Sequence, residues 1–334
     1  MNRGIFSVII ALILAGCAVG PDYRRPAMES PSAWRIEEKA AQETANSAWW
    51  SQFNDPVLNA LIDEALRSNF DLRIATARVN EYVGRYWVWR SGLFPQIWGN
   101  ADAGRSRASE EGAAPLSSQV ENPADFYQGV FNGNWEIDLW GKLRRATEAG
   151  RADLLATEEA RRGVILSLVS AVANGYVSLR DLDMQREIAI RTAKTREDAY
   201  KLFKQRFEGG VLSELELNQV KSEYEQALAT IPQIEKQVAF QENALNLLLG
   251  RNPGPIPRGR TMNELVLPVV PAGLPSDLLE KRPDARQAEQ ALIAANARIG
   301  VARARYFPTL SLTGFFGWAS ADLSNLFSGP ARVW

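Results

Sequence analysis

The sequence predicts a mainly α-helical protein with a β-hairpin portion. A very long antiparallel coiled-coil hairpin (an α-barrel part) joins transmembrane β-barrel strands, and the whole forms an incomplete duplicated unit. Three observations predict it. Residues 142–207 contain no proline and are dense in Ala, Leu, Glu and Arg. As one helix they would reach roughly 100 Å at 1.5 Å per residue, several times the usual globular helix. Residues 126–139, "FYQGVFNGNWEIDL", alternate apolar and polar, as a half-lipid-exposed strand does. Finally, "LFPQIWGNADAG" at Leu93 returns as "YFPTLSLTGFFG" at Tyr306, an offset of 213 residues.

The chain opens on Asn2 and Arg3, runs through an apolar Ile5–Leu14 and reaches Leu14-Ala15-Gly16-Cys17. Charged, then apolar, then small is the layout of a secretory signal, so residues 1–16 are read as a signal peptide. The apolar run is well short of the ~20 residues that cross a bilayer as a helix; an uncleaved anchor is the alternative. The last four residues resemble a bacterial lipobox, which implies a lipid such as palmitate on Cys17. Ala18, in place of Asp, implies release to the outer membrane. Residues 17–54 then form a lipid-anchored extended segment.

Composition excludes several chemistries. One cysteine and no histidine leave no imidazole acid–base pair, no histidine triad and no thiolate metal cluster. A formal net charge of −1 gives no footing for nucleic acid. Carboxylate-only catalysis passes this filter. No cofactor is expected beyond the lipid on Cys17.

The repeat organises the rest. Leu66 pairs with Leu279, Asp71 with Asp284, Arg73 with Arg286, Ala75 with Ala288, Arg85 with Arg298, Val88 with Val301 and Arg90 with Arg303, without a gap. A period this long fits a duplicated half-molecule rather than a solenoid. Residues 55–92 carry the helices of the first unit: Asp55-Pro56 offers a cap and a first-turn proline, and Phe94-Pro95 ends the second helix. Residues 93–140 form the β-hairpin, with strands at about 94–104 and 126–139 and a polar loop at 105–125. A hairpin in a soluble β-domain is the other reading of these strands.

Residues 141–250 form the α-hairpin, with its tip at 207–213. Ile165, Leu168, Val172, Tyr176, Leu179 and Leu182 stripe the outgoing helix. Gly209-Gly210 stops it, and Ser213 with Glu216 starts the return as a capping box. Leu217, Val220, Tyr224, Ala227, Ile231, Ile234, Val238, Gln241, Leu245 and Leu248 then follow a heptad seam broken only by Gln241. Pro232 should kink this helix or loosen its ladder. A linker at 251–274 leads to the second unit's helices at 275–306, where Ser276 caps a short helix. A third strand and the start of an external loop occupy 307–334.

"CAVGPDYRRP", "WWSQFNDPVLNALIDEAL", "LFPQI", "NWEIDLWGKLRR", "GVLSELELNQ" and "RPDARQAEQALIAANARIGVARARYFPTLSL" follow one another along nearly the whole mature chain. Together they resemble the outer-membrane factors of tripartite efflux and type I export systems, the TolC-like family, in its NodT/OprM lipoprotein branch. That resemblance implies a homotrimer whose subunits share a 12-stranded barrel in outer-membrane lipid above a periplasmic helical tunnel. It implies a passive exit duct for small molecules such as drugs, with no catalysis. A periplasmic adaptor and an inner-membrane RND-type or ABC transporter would be its partners.

The same resemblance places adaptor docking at the tip, Arg206, Gly209, Gly210, Val211, Leu212 and Ser213. Gln128, Asn132, Asn134 and Glu136 would line the pore. Tyr127, Phe131, Trp135, Ile137 and Leu139 would face lipid, because polar atoms in hydrocarbon cost several kcal/mol each. Measured against the repeat, the second unit stops about 130 residues early. The expected losses are the fourth strand and a second long hairpin, and an odd strand would leave an edge unpaired in lipid. Two alternatives remain: a periplasmic adaptor lipoprotein, which also carries a coiled-coil hairpin, and an exported carboxylate enzyme.

Overall fold

The computed structural model describes residues 18–26, 48–109, 111, 121–268 and 280–334. The signal segment, Cys17 and the Ser276 cap lie outside the described residues. The main elements run α1 (Pro56–Ser68), α2 (Phe70–Ser91), β1 (Gln96–Ser106), β2 (Ala124–Ile137), α3 (Lys142–Glu208), α4 (Glu214–Leu248), α5 (Pro283–Ala304), β3 (Leu310–Ser320) and β4 (Arg332–Val333). Helix α5 begins and ends 213 residues after α2, so the sequence repeat is a repeat of structure. The chain divides into two compact units, residues 1–27, 80–156 and 288–334 in one, 28–79 and 157–287 in the other.

The second of these units holds the helical hairpin. Helix α3 is 67 residues long without a break. Its predicted stripe is the buried side: Leu168, Val172, Tyr176 and Leu179 pack with Leu58, Leu61, Ile62 and Ala65 of α1 and with Leu245 and Leu249. Each Leu, Ile or Val among them contributes about 1.5–3 kcal/mol on burial. On α4 the predicted seam from Leu217 to Val238 is the half-buried side between exposed neighbours, and toward the end of the helix Leu245 is fully buried. Gln241 is explained by its partner. Its carboxamide donates to the Gly175 carbonyl (2.9 Å), and a Cβ on Gly175 would sit 2.9 Å from Leu245 Cδ2. The polar break in one helix meets a missing side chain in the other.

The paired helices are also held by Arg186 on Glu235 (2.7 Å), Arg196 on Glu223 (2.6 Å) and the stacked rings of Tyr200 and Tyr224 (6.0 Å). Helix α4 runs as one helix from Glu214 to Leu248 with Pro232 inside it. Proline deletes one backbone donor, and the side-chain contacts to α3 lie on either side of it.

Residues 251–268, legible in sequence only as a connector, are sewn to the helices by a polar knot. Asp55 is fully buried. Its Oδ1 caps α1 by accepting from Val57 N (2.8 Å) and Leu58 N (3.3 Å). Its Oδ2 accepts from the Tyr176 hydroxyl (2.8 Å) and Arg260 N (3.0 Å), while Gly259 N donates to the Tyr176 oxygen (2.8 Å). Arg180 donates to the Arg260 carbonyl (2.8 Å), and Arg258 bridges Asp183 and Glu242. Burial first, then the bond to Asp55, pushes the Tyr176 phenol up to about 12.

The other unit holds an antiparallel sheet in the order β1-β2-β3-β4. Gln96 pairs with Asn134 and Ser106 with Ala124 across β1 and β2; Tyr127 pairs with Ser320 and Ile137 with Leu310 across β2 and β3. The strands differ from expectation at their ends. Strand β1 starts at Gln96 because a turn continues past α2, with Phe94 N on the Ser91 carbonyl (3.0 Å). Strand β2 stops at Ile137 because the Asp138 carboxylate turns to cap α3 through Leu143 N (3.0 Å) and Arg144 N (2.8 Å). The residues after β3 do not stay in a loop: two short helical turns reverse the chain, and Arg332–Val333 pairs with Gly317 and Trp318 as a fourth strand.

Candidate functional site

Because side chains alternate across a strand, the register sorts the sheet into two faces. On one lie Ile97, Tyr127, Phe131, Trp135, Ile137, Leu310, Leu312, Phe316 and Trp318. On the other lie Gln96, Asn100, Asp102, Gln128, Asn132, Asn134, Glu136, Ser311 and Thr313, with Trp98 and Phe315 among them. The apolar face is open: Ile97 is 73% and Phe131 57% exposed. Water alone gives no reason to present such a face, whereas hydrocarbon does. Strands of 11, 14 and 11 residues meet the 9–11 that a tilted strand needs to span.

Aromatics crowd both ends of the sheet, as expected at membrane interfaces. At the helix end Trp140 stacks on Phe307 (4.7 Å) and donates to the Pro308 carbonyl (2.8 Å), while Trp135 donates to the Leu93 carbonyl (3.1 Å). At the far end Trp318 packs between Phe316 (5.4 Å) and Phe327 (5.6 Å).

Eight of the nine strand residues singled out in the sequence thus fall on two opposed faces. Leu139 does not: it lies in the bend beyond β2, since Asp138 is spent on the α3 cap and Gly141 (φ +77°) redirects the chain. On the polar face Asn132 Nδ2 donates to Asn100 Oδ1 (2.8 Å), Asn100 Nδ2 donates to Asp102 (2.9 Å), and Lys142 pairs with Glu136 (2.8 Å).

Cys17 lies outside the described residues, but the chain that follows it is held as a strap. Ala18 sits against Gly141, where an added Cβ would be 2.7 Å from the Ala18 Cα. Val19 N donates to the Trp140 carbonyl (3.0 Å). Arg145, buried, reaches Asp22 (2.5 Å) and Glu148 (2.8 Å). The Asp22 hydrogen bond, opposed by burial, raises the guanidinium's pKa. Asn296 donates to the Pro21 carbonyl (2.9 Å), and Glu289 takes both Tyr23 (3.3 Å) and Arg25 (3.0 Å). The strap begins beside the Trp140–Phe307 belt.

Sequence reasoning missed this strap; the one signal was an Asp-Tyr-Arg-Arg cluster with no apolar partner. Gly20 has φ +117° and faces Gly300, so a Cβ there would lie 2.5 Å from the Gly300 Cα. Gly20→Val is therefore expected to dislodge the strap and speed tryptic cleavage after Arg24 by about tenfold. Gly84→Val, at a site with open space, should leave the rate unchanged.

At the hairpin tip Gly210 (φ +72°) takes the left-handed position. Gly210 N donates to the Phe207 carbonyl (2.9 Å) and Val211 N to the Arg206 carbonyl (2.9 Å), which closes a Schellman stop. Ser213 and Glu216 exchange the capping-box bonds, and the Ser213 amide and hydroxyl hold Glu216 below the usual carboxylate range. Val211 and Leu215 stand exposed beside them.

Residues 61–251 and 274–334 match the model of the family described as outer membrane efflux protein. The chain is 37% identical over 331 residues to the cation efflux system protein CusC of Escherichia coli, covering 97% of this chain and 70% of that protein. It is 35% identical over 346 residues to the probable efflux pump outer membrane protein TtgC of Pseudomonas putida, covering 100% and 70%. Among solved structures, the open-state MtrE outer membrane channel of Neisseria gonorrhoeae superposes with a TM-score of 0.82 at 31% identity, over 95% of this chain and 70% of that one. The CmeC outer membrane channel of Campylobacter jejuni does so with a TM-score of 0.84 at 25% identity, over 95% and 69%. These relatives are channels, which sets aside the adaptor alternative. The chain belongs to the outer membrane efflux protein family, as an outer-membrane channel subunit of an efflux system.

Proposed function

We propose that three copies of the full-length protein share one barrel and one periplasmic tunnel, forming the passive exit duct of a tripartite pump for small xenobiotic molecules. The observation that carries this reading is the sheet with one open apolar face and one carboxamide-rich face, belted by aromatics at both ends. In it Tyr127, Phe131, Trp135 and Ile137 face lipid, and Gln128, Asn132, Asn134 and Glu136 wet the pore. Exposed Trp87 and Val88 on α2 favour burial against a neighbouring copy. The strap favours a lipid on Cys17, delivered one residue from Ala18 at the interfacial belt.

Partners follow from the same reading. The tip from Arg206 to Ser213 meets a periplasmic adaptor through a small contact repeated around the trimer, and an inner-membrane RND-type or ABC transporter supplies the energy. Relatives are named for cations, antibiotics and toluene; the organic class is the one proposed here. Deleting the gene in its native host, with parallel efflux channels removed, should raise the accumulation of a lipophilic fluorescent dye several-fold, and the wild-type gene should restore it. Unchanged accumulation would overturn the duct reading.

A further inference from the structure

Trp98 and Phe315 stand on the carboxamide face, where an exposed aromatic ring gains nothing from water. The register places them on one rung, Trp98 opposite Asn132 on β1–β2 and Asn132 opposite Phe315 on β2–β3. They border an open groove of about 630 Å³, lined also by Asn134, Thr313 and Trp334. Two strand spacings separate the ring-bearing backbones by about 9.5 Å, and side chains stand roughly perpendicular to a sheet. A flat ring between two others needs about 9–10 Å from first to last at the closest stacking distances. Rings standing upright on those two strands would leave room for one aromatic ring between them.

Its floor is polar and accepting. Asn132 spends an Nδ2 hydrogen on Asn100, which leaves its Oδ1 as an acceptor. The Asn134 carboxamide and the Thr313 hydroxyl lie alongside. Both rings are about half exposed, so a guest could cover them without displacing protein.

We propose that Trp98, Asn132 and Phe315 form a solute-binding slot for planar aromatic molecules bearing an N–H or O–H donor. The ring intercalates between Trp98 and Phe315, and the donor bonds Asn132 or Asn134. The proposal rests on the reading above that this face lines the pore, and it adds a cargo class to that reading.

The test uses the full protein from native outer membranes, with 1-naphthylamine as probe. A cysteine at Thr313 should react with a membrane-impermeant maleimide, whereas one at Leu312, on the opposite face, should stay protected. Labelling of the Leu312→Cys variant in place of the Thr313→Cys variant would overturn the pore reading, and the slot with it. With the face established, 1-naphthylamine should slow labelling of the Thr313→Cys variant at least threefold at saturation, while cyclohexylamine, which cannot stack, should not. Trp98→Ala combined with Phe315→Ala should weaken that protection about tenfold or more in half-saturating concentration, and Trp98→Phe should retain most of it. Equal protection by both amines, or none by either, would overturn the slot and leave the pore reading standing.

Discussion

Asp55→Ala lowers the unfolding free energy of this protein by about 3–5 kcal/mol, the expected sum of a lost helix cap and two stranded buried donors. The carboxylate is fully buried and accepts four hydrogen bonds, two from the start of α1 and two from Tyr176 and Arg260. Alanine removes both acceptor oxygens, and with them all four bonds, in a place water does not reach. Asp55→Asn should cost less, since Oδ1 can still cap α1, but its amide would point a donor at Arg260 N. Gly259 shows how tight the site is: an added Cβ would run into the Asp55 carboxylate. The measurement is thermal unfolding by circular dichroism in detergent, with a fall of about 10 °C expected for the alanine variant. A melting curve within 2 °C of wild type would show, on the same scale, that the knot contributes little.

The same knot sets an alkaline limit. Tyr176 ionises near 10 in an unfolded chain but only at about 12 in the fold. Between those values the folded state holds a proton that the unfolded state has released, so stability falls as pH rises. The contribution is complete below pH 10 and is lost progressively toward pH 12. Tyr176→Phe should flatten the decline across that window. It should also be less stable at neutral pH by about 1–3 kcal/mol, because Gly259 N loses its acceptor. An unchanged alkaline slope in the variant would assign the decline to other groups.

Gly317→Val abolishes assembly of the sheet. Valine is among the best strand formers, so propensity alone would forecast a gain. Position 317 sits opposite Val130 on β2, and a Cβ there would collide with the Gly129 carbonyl oxygen and lie 2.7 Å from the Val130 Cα. Both neighbours are backbone and cannot rotate away, so pairing of β2 with β3 must give. Gly314→Val, three residues earlier in the same strand, meets nothing within 4 Å and serves as the matched control. Heat-modifiable migration on gels of outer-membrane fractions reads assembly directly. The Gly314 variant should migrate as wild type and the Gly317 variant should appear only as unfolded chain. Normal migration of the Gly317 variant would mean that the strands part more easily than their register implies.

What the sequence alone determined is whatever repeats along the chain. The heptad seam from Leu217 to Leu248, the stripe from Leu168 to Leu179, the alternation from Tyr127 to Ile137 and the offset between α2 and α5 are periodic, and a period is visible without knowing what lies opposite. Their physical basis is local geometry: 3.6 residues per helical turn and two per strand repeat.

Tertiary structure decided what depends on a particular distant neighbour. Gln241 looks like a flaw until Gly175 appears across from it. Leu139 continues the alternation on paper, yet the demand of α3 for a cap at Asp138 ends the strand two residues sooner. Asp55 reads as a helix cap, and only the fold supplies Tyr176 and Arg260 to its second oxygen. Trp98 and Phe315 are 217 residues apart in sequence and share a rung only because β1 and β3 both pair with β2. Hydrogen bonds and steric exclusion act over a few ångströms between groups the chain places far apart, so they leave no periodic trace to read.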